Sequence, residues 1–221
     1  MEKSISVFCM EVISVNTVDI HAVVDALRSG QTLVYPTETC YGLGCDATKS
    51  EAVQKLFDIK KRQKNKPMLV VFPSIEMAMR YIQWSPQLEK IATRFWPGPL
   101  TVVTLLQDNT SISPLLVGED GTLAFRVSSH PFVQEVTLTL GAPLVSTSAN
   151  VAGEDDPYDV QEVIRRYSQE EVQPDMIIDA GTLRFAAPST IVKIDNDTLT
   201  VLRQGEVFVK TKNRPFSSPM R

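Results

Sequence analysis

The chain of 221 residues has a formal net charge of −4, with 43% apolar and 22% charged residues. This composition is typical of a globular domain with a core of useful size, and the negative total argues against binding nucleic acid through overall charge. The apolar runs are far too short to span a membrane. The odd number of cysteines, which lack metal-site spacing, indicates a reducing, cytoplasmic location with no membrane contact.

Segments with helical and with strand periodicity alternate along the chain, which is typical of a mixed α/β domain. The first helix is predicted from about Thr17 to Ser29, with Asn16 or Thr17 as its N-cap and Gly30 beyond its end. The strand TLVYPT follows, and Ser50 is predicted to cap a second helix.

The remainder of the chain continues this alternation. The strand MLVVF is followed by a helical stretch that Ser74 opens, and further helices are predicted near residues 86–95, 131–139 and 158–168. Further strands, in part antiparallel, are predicted at LTVVTLL, TLAFRV, APLVST, DMIIDAG, STIVKI and TLTVLRQ. Residues 1–210 are therefore predicted to form one domain, and the polar residues 211–221 a short flexible tail.

A cluster of two hydroxyls and a carboxylate, Thr37-Glu38-Thr39, comes directly after the strand LVYP. Ligands gather outside the carboxyl ends of strands in open α/β sheets, but such a cluster taken alone is more often a loop and a helix-entry turn. Gly42 and Gly44 let a ligand approach the main chain, yet they match neither the dinucleotide-binding pattern nor the P-loop. The segment predicts a polar site without identifying its ligand.

The run KKRQKNKP places five basic residues within seven positions. Such a run usually forms a solvated helix face. Lys60, however, follows Phe57 by three residues and continues the apolar stripe of the second helix, where a lysine must extend to solvent or face a cleft that holds an anion. Arg62 at the helix end is suited to grip phosphate oxygens. If both face such a cleft, alanine at either position should cost activity but little stability.

Two further segments place polar groups on or after strands. The small residues STSAN follow the strand APLV and form either a self-satisfied turn or a lining for a polar ligand. Arg126 lies in mid-strand, opposite the apolar side chains of TLAFRV. Such an arginine is more often a surface or edge residue, but it also suits a substrate carboxylate.

The sequence also argues against a histidine metal site and against a protein nucleophile. With only two histidines, His21 and His130, a His-rich metal site is excluded. No G-x-S-x-G elbow supports a serine nucleophile, and Cys40 is interpreted as a small packed residue. The chemistry indicated is therefore anion binding and positioning, without covalent catalysis.

In their order along the chain, these segments resemble the motifs of the YrdC-like family, the threonylcarbamoyl-AMP synthases, in its single-domain form. The motifs are YPTETCYGLGCDA, KKR followed by KP, WPGPLTVV, AFRVSSHP, STSAN, APSTIV and VLRQG, and the resemblance runs from about residue 16 to 207. The resemblance implies an open, twisted, mixed α/β sheet with helices around a large, positively lined cleft. It implies an enzyme that forms threonylcarbamoyl-AMP and pyrophosphate from L-threonine, bicarbonate and ATP, after which partner proteins transfer the group to tRNA.

The resemblance also implies which residues form the site. The family's K-x-R pair corresponds to Lys60 and Arg62, which would be catalytic. ATP binding is implied at Lys60, Arg62, Lys66, Thr122, Ser148, Asn150, Asp156 and Arg203. Threonine binding is implied at Thr39, Arg126, Ser146 and Ser189. No protein ligand to a metal is implied, because Mg²⁺ would be held mainly by ATP and water.

Three positions depart from the family pattern. Lys66 stands where many members have an asparagine, Val71 where they have a histidine, and Asp156 where a serine is common. These changes leave the detailed contacts open. They do not alter the expected reaction class, because both reactants are anions and need lysine and arginine to offset their repulsion.

Alternatives stay open on the sequence alone. The basic run also suits a YrdC-like RNA-binding or ribosome-associated protein without adenylating activity, although the acidic total charge argues against it. A carbamoyl-transfer domain of the hydrogenase maturation type would belong to a much longer chain. A structural subunit would not need Lys60 on an apolar stripe, and a paralogue acting on a different amino acid is a further alternative.

Overall fold

The computed structural model of the protein describes residues 10–63, 66, 68–195 and 198–210. Cys9, Lys64, Pro67 and the predicted tail at 211–221 lie outside these residues. The helices in the described part are α1 (Ile20–Arg28), α2 (Ser50–Lys60), α3 (Ile75–Ala78), α4 (Pro86–Phe95), α5 (Pro131–Leu140) and α6 (Val160–Tyr167), with a 3-10 turn at Pro114–Leu116. None of these described helices has the length and apolar character that a membrane crossing would require.

The strands found in the described residues form a single mixed sheet. They are β1 (Glu11–Ser14), β2 (Leu33–Pro36), β3 (Tyr41–Gly44), β4 (Leu69–Phe72), β5 (Leu100–Leu105), β6 (Thr122–Val127), β7 (Leu144–Ser148), β8 (Met176–Asp179), β9 (Thr190–Asp195) and β10 (Thr198–Arg203). Their order across the sheet is β1-β8-β2-β3-β7-β4-β6-β5-β9-β10. The pairs β1/β8, β8/β2, β4/β6 and β5/β9 are parallel and the other neighbours antiparallel, which confirms the predicted mixed α/β class.

Helices cover the two faces of this sheet unequally. On one face, α2, α4 and α6 pack against strand residues such as Leu43, Val70 and Phe125. On the opposite face, α1 and α5 pack on β8, β2, β7 and β4 through residues such as Leu27 and Val136. Beyond these two helices, the same face of the sheet lines a cavity whose floor includes β5, β6 and β9. The uncovered part of this face is therefore the place for a ligand.

The predicted N-cap of α1 is wrong. The Asp19 carboxylate caps the helix by accepting a hydrogen bond from the His21 amide at 2.9 Å. Asn16 and Thr17 precede the helix, and the Thr17 amide donates to the Ser14 carbonyl oxygen to close a turn after β1. An aspartate is as good an N-cap as an asparagine, so the choice among these neighbours depended on where the chain leaves β1.

The predicted cap of α2 is also wrong, whereas that of α3 is confirmed. Lys49 occupies the cap position of α2, and Ser50 is the first helical residue. The Ser50 hydroxyl lies 2.9 Å from the Ser113 hydroxyl, a tertiary contact that replaces capping. At α3, the Ser74 hydroxyl accepts from the Met77 amide at 3.2 Å, as expected of an N-cap.

Residues 37–40 form a turn that leads into the strand β3, so the predicted loop is confirmed and the predicted helix entry is wrong. β3 pairs antiparallel with β2, with Gly42 opposite Tyr35. Glycine is depleted in strands, so the sequence does not indicate one here, nor does it predict β1. A Cβ atom on Gly44 would lie 2.0 Å from the Val145 carbonyl oxygen and 3.0 Å from the Tyr35 ring. The strand fits between β2 and β7 because its glycines leave room for both.

Candidate active site

The cavity on the uncovered part of the sheet has a volume of about 220 Å³. It brings together eight residues predicted for the site: Thr39, Arg62, Arg126, Ser146, Ser148, Asp156, Ser189 and Arg203. All four residues predicted to contact threonine are included, with four of those predicted to contact ATP. The charged side chains among the described lining residues are three arginines and one aspartate.

The Thr37-Glu38-Thr39 segment is a tight turn between β2 and β3. The Thr37 hydroxyl accepts hydrogen bonds from the amides of Thr39 at 3.1 Å and Cys40 at 3.3 Å, and donates to the Cys40 carbonyl oxygen at 2.7 Å. This pattern satisfies the backbone locally, as hydroxyl-stabilised turns do. It leaves the Thr39 hydroxyl at the cavity, 3.0 Å from that of Thr37.

Arg126 is buried in mid-strand, with 4% of its side chain exposed, and is not a surface or edge residue. It lies opposite the core residues of β6, as the strand alternation predicts, and lines the cavity. Its Nε lies 3.5 Å from Oε1 of Glu38. The other carboxylate oxygen of Glu38 accepts from the Ser128 hydroxyl at 2.7 Å. Glu38 is not among the residues predicted for the site, although its place inside the Thr37–Thr39 cluster was a usable indication.

Ser189 and Arg203 form the opposite wall of the cavity. Arg203 donates to the Ser189 carbonyl oxygen from Nε at 3.2 Å and from Nη2 at 2.8 Å. The Ser189 hydroxyl lies 3.0 Å from that of Thr101, a buried β5 residue that the sequence did not single out. Burial lowers the pKa of Arg203, which nevertheless remains far above neutrality for a guanidinium. This wall therefore combines hydroxyls with a permanent positive charge.

Lys60 lies on the inner face of α2, as its position on the apolar stripe predicts, and is 1% exposed. Its Nζ donates to the carbonyl oxygen of Ser148 at 2.6 Å, the carbonyl oxygen of Asn150 at 2.8 Å and the Asn150 Oδ1 at 2.8 Å. All three ammonium protons thus have oxygen acceptors in the STSAN segment. The side chain ties α2 to the end of β7, so we expect alanine at Lys60 to cost stability, contrary to the expectation from the sequence.

Burial, and secondarily the charge of Arg62, lowers the pKa of Lys60 to about 7. The three short hydrogen bonds act in the other direction because they favour the ammonium form. The charged and neutral forms of Lys60 are therefore close in free energy near neutral pH.

A second cavity of about 420 Å³ adjoins the first, and the two share Arg62 and Ser148 as lining residues. Lys60, Lys66 and Asn150, three further residues predicted to bind ATP, line this second cavity. Arg62 follows the C-terminal end of α2 and donates from Nε to the Lys66 carbonyl oxygen at 2.7 Å. Arg62 therefore stands at the junction of the two spaces.

Thr122 is the one predicted site residue that the structure puts in neither of these cavities. It lies at the start of β6 in a third cavity and donates to Oδ1 of Asp120 at 2.6 Å. Val71, at the position of the family's histidine, pairs in register with Arg126 but is buried in the layer beneath α1 and α5. Burial raises the pKa of the Cys40 thiol to about 12, which agrees with a packed residue that is not a nucleophile.

Comparison with known proteins identifies the family. A family model named Sua5_yciO_yrdC and described as "Telomere recombination" matches residues 25–205. A protein of Aliivibrio fischeri named threonylcarbamoyl-AMP synthase is 34% identical over 190 residues, which cover 85% of this chain and 99% of that protein.

Solved structures agree in fold. The crystal structure of P. abyssi Sua5 complexed with L-threonine is similar with a TM-score of 0.79 at 27% identity, covering 89% of this chain. This chain spans only 57% of that longer protein. The crystal structure of E. coli YciO is similar with a TM-score of 0.77 at 25% identity, and 89% of this chain covers 95% of that one. The family match, the relative and the shared fold show that this chain belongs to the Sua5/YciO/YrdC family.

Proposed function

We propose that this protein is an L-threonylcarbamoyladenylate synthase, a nucleotidyltransferase that forms threonylcarbamoyl-AMP and pyrophosphate from L-threonine, bicarbonate and ATP. The observation that carries the proposal is the meeting, in one cavity, of the buried arginine Arg126 with the junction arginine Arg62. The A. fischeri relative has the same activity in its name, and the P. abyssi relative is a complex with L-threonine.

The threonine part of the site is proposed to be built around Arg126. A buried guanidinium offers planar, charge-assisted hydrogen bonds that match a carboxylate. Its contact to Glu38 uses Nε, so the terminal nitrogens have no protein hydrogen-bond partner among the described residues and can serve a ligand. Small hydroxyls at Thr39, Ser146 and Ser189 line the same cavity and suit the hydroxyl of threonine.

The ATP part is proposed to extend from the main cavity into the second one. Arg62 at the junction, with Ser148 and Arg203, would contact phosphate oxygens, and Lys66 and Asn150 line the space beyond. Lys60 would act by fixing the backbone of Ser148 and Asn150 and by contributing charge. Thr122 would serve ATP only where the nucleotide reaches the third cavity.

Magnesium is proposed to arrive with ATP. The donor set fits this, because Mg²⁺ in nucleotide sites is held by one or two carboxylates together with phosphates and water. Asp156 supplies the only carboxylate among the described residues that line the main cavity. When bound, the ion would neutralise charge on the phosphates.

The proposed reaction needs positioning more than reactive protein groups. The threonine amine takes up the carbon of bicarbonate-derived carbon dioxide and loses a proton, which gives a carbamate. A carbamate oxygen then bonds to the α-phosphorus of ATP while the bond to the pyrophosphate oxygen breaks. Arg62 and Arg126 would hold two anions close together and offset their repulsion, so that the reactants meet in line.

The product would pass to partner proteins that modify tRNA, and this chain would not bind RNA tightly by itself. The basic run offers less free charge than its sequence indicates, because Lys60 is buried and Lys61 pairs with Glu170 at 2.6 Å. These observations weaken the alternative of an RNA-binding protein without adenylating activity. A cytoplasmic location would fit this chemistry.

The test is pyrophosphate release from ATP with each amino acid, with and without bicarbonate, beside an RNA-binding titration at several salt concentrations. We expect release that requires both threonine and bicarbonate, with weak and steeply salt-dependent RNA binding. Tight RNA binding without pyrophosphate release would overturn the proposed function in favour of the alternative.

A further inference from the structure

The hydrogen bonds of the turn at Thr37 do not account for the position of the Glu38 side chain. Thr37 satisfies the turn's backbone without it, and the Glu38 side chain extends to the end of β6. There, one oxygen lies beside Arg126 Nε at 3.5 Å and the other accepts from Ser128. The Ser128 hydroxyl in turn accepts from the His130 amide at 3.2 Å. Glu38 thus links the turn that carries Thr39 to the strand that carries Arg126.

The contact between Glu38 and Arg126 is an ion pair that is incompletely hydrogen-bonded. Oε1 of Glu38 and Nε of Arg126 are both buried and have no hydrogen-bond partner among the described residues. A buried charge requires a partner of opposite sign, and no other ion pair to Arg126 occurs in the part of the chain that the structure describes. The carboxylate lies at the Nε edge of the guanidinium, which we call its inner edge, and Arg126 also lines the main cavity.

A carboxylate on the inner edge does two things for an arginine that binds a carboxylate ligand. It restricts the rotamers of a long side chain before the ligand arrives, which reduces the entropy lost on binding. It also fixes the plane of the guanidinium, on which two parallel hydrogen bonds to a ligand depend. The charge of Glu38 opposes ligand binding, but Glu38 does not line the main cavity, and one of its oxygens accepts from Ser128.

We propose that Glu38 is a positioning residue for Arg126, which it orients toward an amino acid carboxylate in the main cavity. This inference rests on the proposed function, in which Arg126 contacts threonine. Glu38 does not line the main cavity and acts through the arginine alone.

The test is a comparison of KM values for Glu38→Gln. Glutamine keeps the shape of the side chain and an oxygen for Ser128 but removes the charge next to Arg126. We expect the KM for threonine to rise about 10-fold or more while the KM for ATP stays within about 2-fold, by analogy with outer partners that orient metal ligands. A residue needed only for folding would not separate the two KM values in this way.

Two variants provide controls. Ser128→Ala keeps the charge of Glu38 but removes its hydrogen bond, and should raise the threonine KM by a smaller factor; it also keeps the question testable if Glu38→Gln does not fold. Glu206→Gln removes a carboxylate that lines the same separate cavity as Glu38, of about 510 Å³, but that accepts from the Ala187 amide and has no ion pair with Arg126 among the described residues. The threonine KM of Glu206→Gln should be that of the wild type.

The Arg126→Ala variant distinguishes a wrong threonine site from a wrong positioning role of Glu38. If Arg126→Ala leaves the threonine KM unchanged, the threonine site of the proposed function is wrong. If Arg126→Ala raises that KM and Glu38→Gln does not, only the positioning role of Glu38 is overturned. In the Arg126→Ala background, Glu38→Gln should add nothing further to the KM, and a full additive effect would contradict action through the arginine.

Discussion

The face of the sheet that carries α1 and α5 changes character part-way along its strands. On β7, Leu144 lies in the apolar layer beneath these helices, whereas Ser146, two residues later, lines the cavity. On β4, Val71 is fully buried in that layer, whereas Leu69 is partly exposed, packs against the layer and also lines the cavity. Residues two apart in a strand share a face, so the same alternation serves packing in one half and ligand contact in the other. The helices that cover a face decide which half stabilises the fold and which half binds.

The largest expected effect tests the chemistry of the open half. Hydroxyl groups at Thr39, Ser146 and Ser189 should discriminate threonine from valine by a factor on the order of 10⁴, because valine would leave buried polar groups unpaired. Serine, which lacks only a methyl group, should lose about 10-fold. The measurement is kcat/KM for pyrophosphate release with each amino acid. Equal values for valine and threonine would show that the open half does not recognise a hydroxyl.

The covered half should carry stability without selectivity. Leu27→Ala, in α1, removes a fully buried side chain and should lower the free energy of unfolding by about 2–5 kcal/mol. The KM for threonine should not change under conditions where the variant is folded. Denaturant unfolding measures the first quantity. The control is Leu138→Ala on α5, where the leucine is 61% exposed and the change should stay within about 0.5 kcal/mol. Equal losses of unfolding free energy in both variants would show that the covered half does not carry the stability.

Arg62→Ala should show the reverse pattern. Removal of one electrostatic donor at the junction of the cavities should lower the rate of pyrophosphate release on the order of 100-fold. The free energy of unfolding should change by less than about 1 kcal/mol, because Arg62 lies beyond the end of α2 and outside the apolar layers. Lys90→Ala on the exposed side of α4 is the control, with normal rate and stability. Normal activity of Arg62→Ala would remove the residue from the catalytic assignment.

Lys60→Met should combine both kinds of loss, because this lysine supports the open half from within the core. Three oxygens of the STSAN segment would lose the lysine donor, and of these the Asn150 Oδ1 would keep the Ser148 hydroxyl, so we expect a decrease of about 1–3 kcal/mol in the free energy of unfolding, with reduced activity. Lys61→Met is the matched control, because Lys61 is exposed and solvent-exposed ion pairs such as the one with Glu170 contribute little to stability. Unchanged stability of Lys60→Met would contradict the structural role.

The pH dependence of that same difference provides a further test of Lys60. The pKa of Lys60 falls from 10.5 in the unfolded chain to about 7 in the folded one. Between these values the unfolded chain binds more protons, so the contribution of Lys60 to stability increases as the pH rises from about 7 toward 10.5. Lys60→Met lacks this group, and the stability of the wild type relative to the variant should grow between pH 7 and pH 9. If the stability difference decreases between pH 7 and pH 9, the pKa of Lys60 is not lowered by folding.

Much of the candidate site could be predicted from sequence because its residues belong to short motifs. The threonine and ATP residues were assigned through resemblance, and eight of them meet in one cavity. The inward position of Lys60 and the face of Arg126 followed from helical and strand periodicity alone. Glu38 and Thr101 were missed, because their roles come from partners on other strands and not from their own neighbours.

The mixed α/β class could be predicted from the sequence, and so could most elements and the local turn at Thr37, because these features depend on residues within one turn or one strand. The tertiary structure was needed to show that β3 lies between β2 and β7, that Glu38 contacts Arg126 and that Lys60 donates to Asn150. Each of these contacts joins segments far apart in the chain. The order of the strands and the space left by glycines select them, and no pattern of neighbouring residues contains that order.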